Sequence, residues 1–308
     1  MDLDRARKTL SDDLLPHDIV LHTCYRNPPE ILVTAHALGF GIYSKEAMVQ
    51  MLENKDHWLD FGYVVEQGNC KPGEKTVIFR PEENSPLSLS KYVPREDIIS
   101  CFAAKDFGAE LEWISKQISM FLAEGLRPED ILVIGLDDRN ARSYFRSIAK
   151  LLAEKNISVN NVLDQAYVEP QFFVADHVTL STVYRAKGNE AAVVFGVGLD
   201  AIYPLRNTRR GRNRLFTAIT RSKAWLRMSG LAEPTQVFIN EMMVALDNFP
   251  RMRFIYPDRK NIDLIERDLS ERSAKIMEMQ QMMLELGLTD LSEEEIVHAL
   301  KGTRKKEL

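Results

Sequence analysis

Residues 178–197 read VTLSTVYRAKGNEAAVVFGV, and this stretch decides the fold. The runs Val178–Ser181 and Ala191–Val197 are short and rich in β-branched residues, which indicates two strands. The second run is continuously apolar, as is typical of a strand buried on both faces of a sheet. The residues between the two runs are polar and basic. The stretch therefore predicts two consecutive strands joined by a charged loop.

Strands and helices alternate on either side of this stretch. The predicted strands are Ile98–Phe102, Asp130–Gly135 and Trp225–Ser229, and the predicted helices are Ala109–Glu124, Arg139–Lys155 and Arg212–Arg221. Such alternation favours an α/β fold, in which helices flank a mostly parallel sheet.

The two ends of the chain give further elements. Asp18–Leu21 and Thr76–Phe79 predict strands. Pro28 and Pro29 predict the start of a helix, because a proline at the first turn sacrifices no hydrogen bond, and Gly39 and Gly41 predict its end. From about residue 261 onward, apolar residues recur at spacings of three, four or seven, which predicts a helical tail.

Composition restricts the class of protein. The 308 residues include 45 acidic and 40 basic side chains, giving a net charge of −5, and 45% are hydrophobic. These values exclude collagen-like and wholly disordered chains. No apolar run reaches the ~18–20 residues that span a bilayer, so we expect no membrane contact. Three cysteines without a CxxC pair argue against a disulfide framework or a thiolate zinc site, and we expect a cytoplasmic protein.

One segment is strongly basic. Residues 205–227 contain eight basic side chains and no acidic one. Such a segment suits a nucleic-acid or polyphosphate face, and it equally suits a charged helix exposed to solvent. The sequence leaves both interpretations open.

The common motifs of self-sufficient hydrolases are missing from the sequence. It contains no GxxxxGK[ST] phosphate loop, no GxSxG nucleophile elbow and no HExxH metal motif. Three clusters instead carry basic groups near predicted strand ends, which is where open α/β sheets bind ligands. They are YRNPPEIL at 25–32, STVYRAKGNEAAVVFGVGL at 181–199 and RLFTAITRSKAWL at 214–226.

In this order, the three clusters resemble motifs IV, V and VI of the second RecA-like motor domain of UvrD/Rep-type superfamily 1 helicases. The resemblance covers about residues 15–230. It implies a RecA-like sheet and a nucleotide site shared with a first motor domain, whose own motifs the sequence does not contain.

The resemblance implies a role for each matching residue. Tyr25 would stack on adenine, and Arg26 and Arg221 would reach the γ-phosphate of ATP as arginine fingers. Glu190 would approach the ribose. Simpler alternatives remain: Tyr25 belongs to the core, or Glu190 pairs with a neighbouring basic residue, Arg185 or Lys187.

The resemblance also implies contacts to single-stranded DNA or RNA. Thr182 would hold a phosphate of the strand, with Arg185 and Lys187 close by. Tyr184 stands where the family usually has a histidine, and it is suited to stacking on a base. The interval before motif V is too short for the accessory subdomain that UvrD-type enzymes insert there.

These implications lead to one expected function and one alternative. We expect the C-terminal part of an ATP-dependent DNA helicase, whose ATP and Mg²⁺ require the N-terminal ATP-binding motor domain, so that the chain alone is inactive. The alternative is a free-standing nucleic-acid-binding or regulatory module with a degenerate motor fold. The expected divisions are a lead-in at 1–14, the motor domain at 15–235 and a helical C-terminal extension at 236–308.

Overall fold

A six-stranded sheet forms the centre of the computed structural model, which describes residues 22–46, 48–164, 171–258 and 262–265. Its strands are β4 (Ile99–Ala104), β5 (Ile131–Gly135), β6 (Val159–Asn161), β7 (Val178–Thr182), β8 (Ala191–Val197) and β9 (Ser222–Leu231). Their order is β4-β9-β8-β5-β7-β6, and every neighbouring pair is parallel. The predicted mostly parallel α/β sheet is therefore confirmed.

Helices cover both faces of this sheet, because its strands are apolar on both sides. Along β5, Ile131 and Val133 face one core, whereas Leu132 and Ile134 face another. The first core is shared with α4 (Phe107–Ala123) and α5 (Ala141–Ala153). The second core is shared with α1 (Pro29–Phe40), α6 (Arg209–Ile219) and α7 (Ala232–Asn248). This two-sided packing gives the RecA-like arrangement that the resemblance implied.

Helix α1 shows how the local sequence sets its bounds. It begins at Pro29, as predicted, and its C-cap is Gly41 in the left-handed region with φ 73°. The Gly41 N–H donates to the Leu38 carbonyl at 3.1 Å, which closes the last turn. Of the two glycines predicted to end this helix, Gly41 does so and Gly39 lies inside it.

A second, smaller sheet is made of strands that the sequence mostly did not predict. The antiparallel order is β10-β3-β2, built from β2 (Val64–Gln67), β3 (Lys75–Phe79) and β10 (Arg251–Ile255). Only β3 was predicted. Two short strands, β1 (Gln50–Leu52) and β11 (Asp263–Ile265), pair in parallel, and two short helices are α2 (Lys55–Asp60) and α3 (Arg95–Ile98). These elements surround an apolar cluster that includes Trp58 and Tyr63.

Several predictions fall at or beyond the limits of the described residues. The strand at Asp18–Leu21 and the helical tail beyond residue 265 lie outside them. The predicted division at 235/236 falls within α7, and the three-part domain organisation stays a prediction. Among the helices of the described ranges, none is both long enough and apolar enough to cross a bilayer.

Candidate functional site

Three of the predicted site residues meet at one edge of the central sheet. Glu190 directly precedes β8 and Arg221 directly precedes β9, and the Ala191 N–H donates to the Arg221 carbonyl at 3.1 Å. Because β8 and β9 are parallel, both residues lie at the amino edge of the sheet. Arg26 joins them there, since its Nε is 2.8 Å from Glu190 Oε2.

The charges at this edge do not balance. Arg26 and Glu190 are 52% and 36% exposed, so their ion pair faces solvent. Arg221 is only partly exposed, and its Nε donates to the Thr217 carbonyl at 3.1 Å. Burial lowers the pKa of Arg221, and the nearby positive charge of Arg26 lowers it further, against the opposing effect of Glu190. One carboxylate, paired with Arg26, thus stands against two guanidinium groups, which leaves an excess positive charge suited to an anion.

Asn27 connects the first cluster to the third. Its buried Nδ2 donates to the Thr220 carbonyl at 2.9 Å and to the Ser222 carbonyl at 2.7 Å. These two carbonyls flank Arg221 in the chain. Sequence reasoning missed Asn27, and its one signal was its place beside Arg26 in the first cluster.

Two alternatives considered for single residues are wrong. Tyr25 is 71% exposed, so it is not a core residue. Glu190 pairs with Arg26 and not with Arg185 or Lys187. Both residues are therefore placed where a ligand at the amino edge can reach them.

The residues predicted to contact nucleic acid begin at the opposite edge. Thr182 ends β7 at the carboxyl edge and is 9% exposed. Tyr184 is half-exposed, and the Lys187 Nζ lies 5.6 Å from its ring centroid. Arg185 donates from Nη1 to the Val162 carbonyl at 2.8 Å. The connection 183–190 then leads from the carboxyl edge to Glu190 at the amino edge, so the second cluster reaches both edges of the sheet.

The basic segment 205–227 is not a continuous surface. Arg212 is fully buried against Glu241, and Arg214 Nη2 lies 2.8 Å from Asp138 Oδ2. Arg227 is buried and donates from Nε to Gln117 Oε1 at 3.0 Å, and Arg206 pairs with Glu46. Half of the eight basic side chains therefore serve internal or carboxylate contacts. Neither interpretation of the segment as a uniform charged face holds.

The carboxyl edge also contains a buried acid that sequence reasoning missed. Glu110 lies in the first turn of α4, and its Oε1 accepts from the Gly198 N–H at 3.2 Å and from Ser229 Oγ at 2.8 Å. Burial raises the pKa of the Glu110 carboxyl, and the Asp200 carboxylate adds to the rise. Within the described ranges, no group of three His, Cys, Asp or Glu side chains is arranged to hold a metal ion.

One segment of the chain is similar to a known protein family. Residues 177–229 match the family described as UvrD-like helicase C-terminal domain. A solved structure, the C-terminal domain of a possible DNA helicase from Lactobacillus plantarum WCFS1, is similar at 15% identity with a TM-score of 0.36, over 55% of this chain and 86% of that one. No curated protein sequence matches. The predicted resemblance to UvrD-type helicases is therefore confirmed, and it rests on residues 177–229, which include Thr182, Glu190 and Arg221.

Proposed function

We propose that this chain is the second motor domain of a UvrD-type, ATP-dependent DNA helicase. The observation that carries the proposal is the group at the amino edge, where Glu190 pairs with Arg26 and Arg221 lies near both of them. ATP would be bound mainly by the N-terminal motor domain of the same enzyme. The two arginines would then reach its γ-phosphate from across the cleft.

The residues at this edge fit a nucleotide. A guanidinium stays charged and presents a planar fork that matches phosphate oxygens. Tyr25 offers an exposed ring for the adenine, and Glu190 lies close enough to Arg26 to hold it at the edge until a phosphate competes for it. Hydrolysis of the bound Mg²⁺–ATP would supply the energy for movement. The residues of this chain would stabilise the negative charge that develops on the phosphate oxygens.

Single-stranded nucleic acid would bind at the carboxyl edge. Thr182 would hold a backbone phosphate, while Lys187 and the unused part of the Arg185 fork would add positive charge. Tyr184 is exposed enough to stack on a base, and the Lys187 ammonium already lies against its ring. DNA as the strand and a cytoplasmic location stay predictions.

Removal of Arg221 tests the nucleotide role. In an enzyme that joins this chain to its ATP-binding motor domain, we expect Arg221→Ala to lower kcat for ATP by about 10²-fold or more, the magnitude of an arginine finger. KM should change little, because the guanidinium acts on charge that develops in the transition state. Steady-state ATP turnover with saturating single-stranded DNA is the measurement.

Lys223→Ala is the matched control, since Lys223 is an exposed basic residue two positions along the chain. It should leave kcat unchanged. Unchanged turnover in a well-folded Arg221→Ala enzyme would remove Arg221 from the site.

A further inference from the structure

A row of basic side chains runs along the solvent side of α5. Arg142, Arg146 and Lys150 recur every four residues and Arg139 lies three residues before them, so all four share one face of the helix. We call these four residues the basic stripe. All four are exposed, and none of their side chains forms an ion pair or a hydrogen bond with another described residue. No acidic residue occurs in 139–153.

The basic stripe takes no part in the packing of α5. The residues that anchor this helix in the first core lie on its other side and are Ala141, Phe145, Ile148 and Leu152. A solvent-facing helix is stabilised when acidic and basic residues alternate at a spacing of four, because opposite charges then pair. The stripe has no such acidic partners, so the fold does not explain its composition.

The stripe is also unfavourable for the helix itself. Arg139 precedes the N-cap Asn140 and Arg142 lies in the first turn, where the helix dipole disfavours a positive charge. Arg142, Arg146 and Lys150 are like charges four residues apart, and such charges repel one another. Only Lys150, in the last turn, lies at the end of the helix that favours a cation. An anionic ligand along this face would offset both costs.

The two carboxylates that precede α5 do not neutralise the stripe. Asp137 Oδ1 accepts from the backbone N–H of Arg139 at 3.0 Å, and Asp137 Oδ2 accepts from the side-chain amide of Asn140 at 2.6 Å. Asp138 Oδ2 lies 2.8 Å from Arg214 Nη2. Both carboxylates are therefore engaged elsewhere, and the charged ends of the stripe remain available to a ligand.

The stripe begins beside the edge proposed for the strand. Gly135, the last residue of β5, pairs in register with Thr182, the last residue of β7. Arg139 follows Gly135 by four residues, so the stripe starts at the carboxyl edge. It then runs away from that edge, because α5 returns the chain to the start of the parallel strand β6. Nucleic acid bound at the carboxyl edge would continue over the stripe.

We propose that the basic stripe binds the phosphate backbone of double-stranded DNA. A duplex carries one negative charge per ~1.7 Å of its axis, and cations placed against these charges release bound counterions. Arg142 and Lys150 are about 12 Å apart along the helix axis, so the stripe meets several phosphates at once.

The choice of a duplex over a single strand follows from the other exposed residues of α5. These are Ser143 and Ala153, so no aromatic ring stands among the cations. Single strands bind largely through bases stacked on such rings, as proposed for Tyr184. A surface that offers only cations suits a backbone whose bases are paired inside, and such contacts position DNA without reading its sequence. The inference goes beyond the proposed function and rests on it only for the strand that adjoins the duplex.

Neutralising two stripe residues tests the proposal. Arg142→Gln/Arg146→Gln removes two charges and keeps long side chains of similar helix propensity. Fluorescence anisotropy would give the affinity of the chain for a 16-bp duplex and for a dT 12-mer over a range of salt concentrations. For the duplex, we expect weaker binding and a slope of log affinity against log salt that is shallower by about 1.8, or 0.9 for each lost phosphate contact. The dT slope should not change.

Two controls accompany this variant. Arg209→Gln/Arg210→Gln removes the same charge from exposed positions in the first turn of α6, on the opposite face of the sheet, and should leave the duplex slope unchanged. Thermal melts without DNA should show that the stripe variant melts no lower than the native chain, because it relieves repulsion within α5. A lower melting temperature would assign the two arginines to the fold and would overturn the inference.

The binding data distinguish this inference from the proposed strand interface. If the duplex binds through the stripe while the dT strand does not bind, the strand interface at the carboxyl edge fails and the inference stands. The inference is overturned if the native chain does not bind the duplex at ~50 mM salt. It is also overturned if the two double variants weaken duplex binding equally, since binding would then follow net charge and not the stripe.

Discussion

At the scale of single residues, Glu110 couples folding to pH. Its pKa in the folded protein is raised above the ordinary 4.5 by burial, so the folded chain holds this proton more tightly than the unfolded chain does. The resulting stabilisation is complete below about pH 4.5 and is lost as the pH rises through the raised pKa. Above the raised pKa, the folded state must keep a carboxylate out of water.

Glu110→Gln should remove this dependence. The amide oxygen can still accept from Gly198 and Ser229, and the side chain no longer ionises. We expect the melting temperature of the variant, relative to the native chain, to rise from pH 4 to pH 8 in thermal melts. Glu112→Gln, an exposed position on the same helix, should show no such trend. Equal differences at all pH values would mean that Glu110 keeps an ordinary pKa.

At the scale of elements, an internal ion pair ties α6 to α7. Arg212 Nη1 is 2.5 Å from Glu241 Oε2, and Nη2 is 3.1 Å from Glu241 Oε1, with both side chains buried. The remaining Nε donates to the Arg206 carbonyl at 2.6 Å. Every guanidinium nitrogen of Arg212 is thus satisfied, which explains how a full charge is accommodated inside the second core.

Glu241→Gln should leave the buried positive charge of Arg212 without an ion-pair partner. We expect a loss of about 3–5 kcal/mol in the free energy of unfolding measured with urea, the usual effect of breaking a buried pair. The double variant Arg212→Met/Glu241→Leu should recover most of it, because no unpaired charge remains. Glu66→Gln breaks the exposed pair with Arg251 and should cost far less, because solvent screens that pair. A loss of that small size for Glu241→Gln would contradict the structural role.

The elements also show what a sequence can predict. Strands β5 and β8 are continuous apolar runs, and their predicted bounds, like those of β7, agree with the structure to within a residue. Strands β2 and β10 were not predicted, because they are short and form only by pairing with β3. Strand β10 is also far from β3 along the chain, so its own sequence does not reveal this pairing. The burial of Arg212 could not be predicted either, because its partner Glu241 comes from another helix.

At the scale of the whole molecule, the central sheet separates two kinds of candidate site. The groups proposed for nucleotide lie at its amino edge, and those proposed for the strand begin at its carboxyl edge. The order of the three motifs predicted that Arg26, Glu190 and Arg221 serve one nucleotide site, and the fold places these residues close together. A cavity lined by His36, Gln50 and Phe216 could not be predicted, because its side chains come from three elements, α1, β1 and α6, that are separate in the sequence.

This separation predicts how salt affects strand binding. The logarithm of the association constant should fall linearly with the logarithm of salt concentration, and Lys187→Ala should make the slope shallower by about 0.7, the value for one phosphate contact on a single strand. Lys223→Ala, at the amino edge, should leave the slope unchanged. Anisotropy titrations with a dT strand from ~50 to ~200 mM salt measure both slopes. Equal effects of Lys187→Ala and Lys223→Ala on the slope would mean that the nucleic-acid strand contacts the carboxyl and amino edges of the sheet alike.

The two hydrogen bonds of Asn27 have a mechanical consequence. Asn27, next to Arg26, bonds to the carbonyls on either side of Arg221, so the backbones that carry the two guanidinium groups are directly linked. The repulsion between the Arg26 and Arg221 guanidinium groups is overcome when the chain folds and not when a ligand binds. The pair is therefore preorganised for an anion. A closing movement of the motor halves would deliver both charges to one phosphate in a single step.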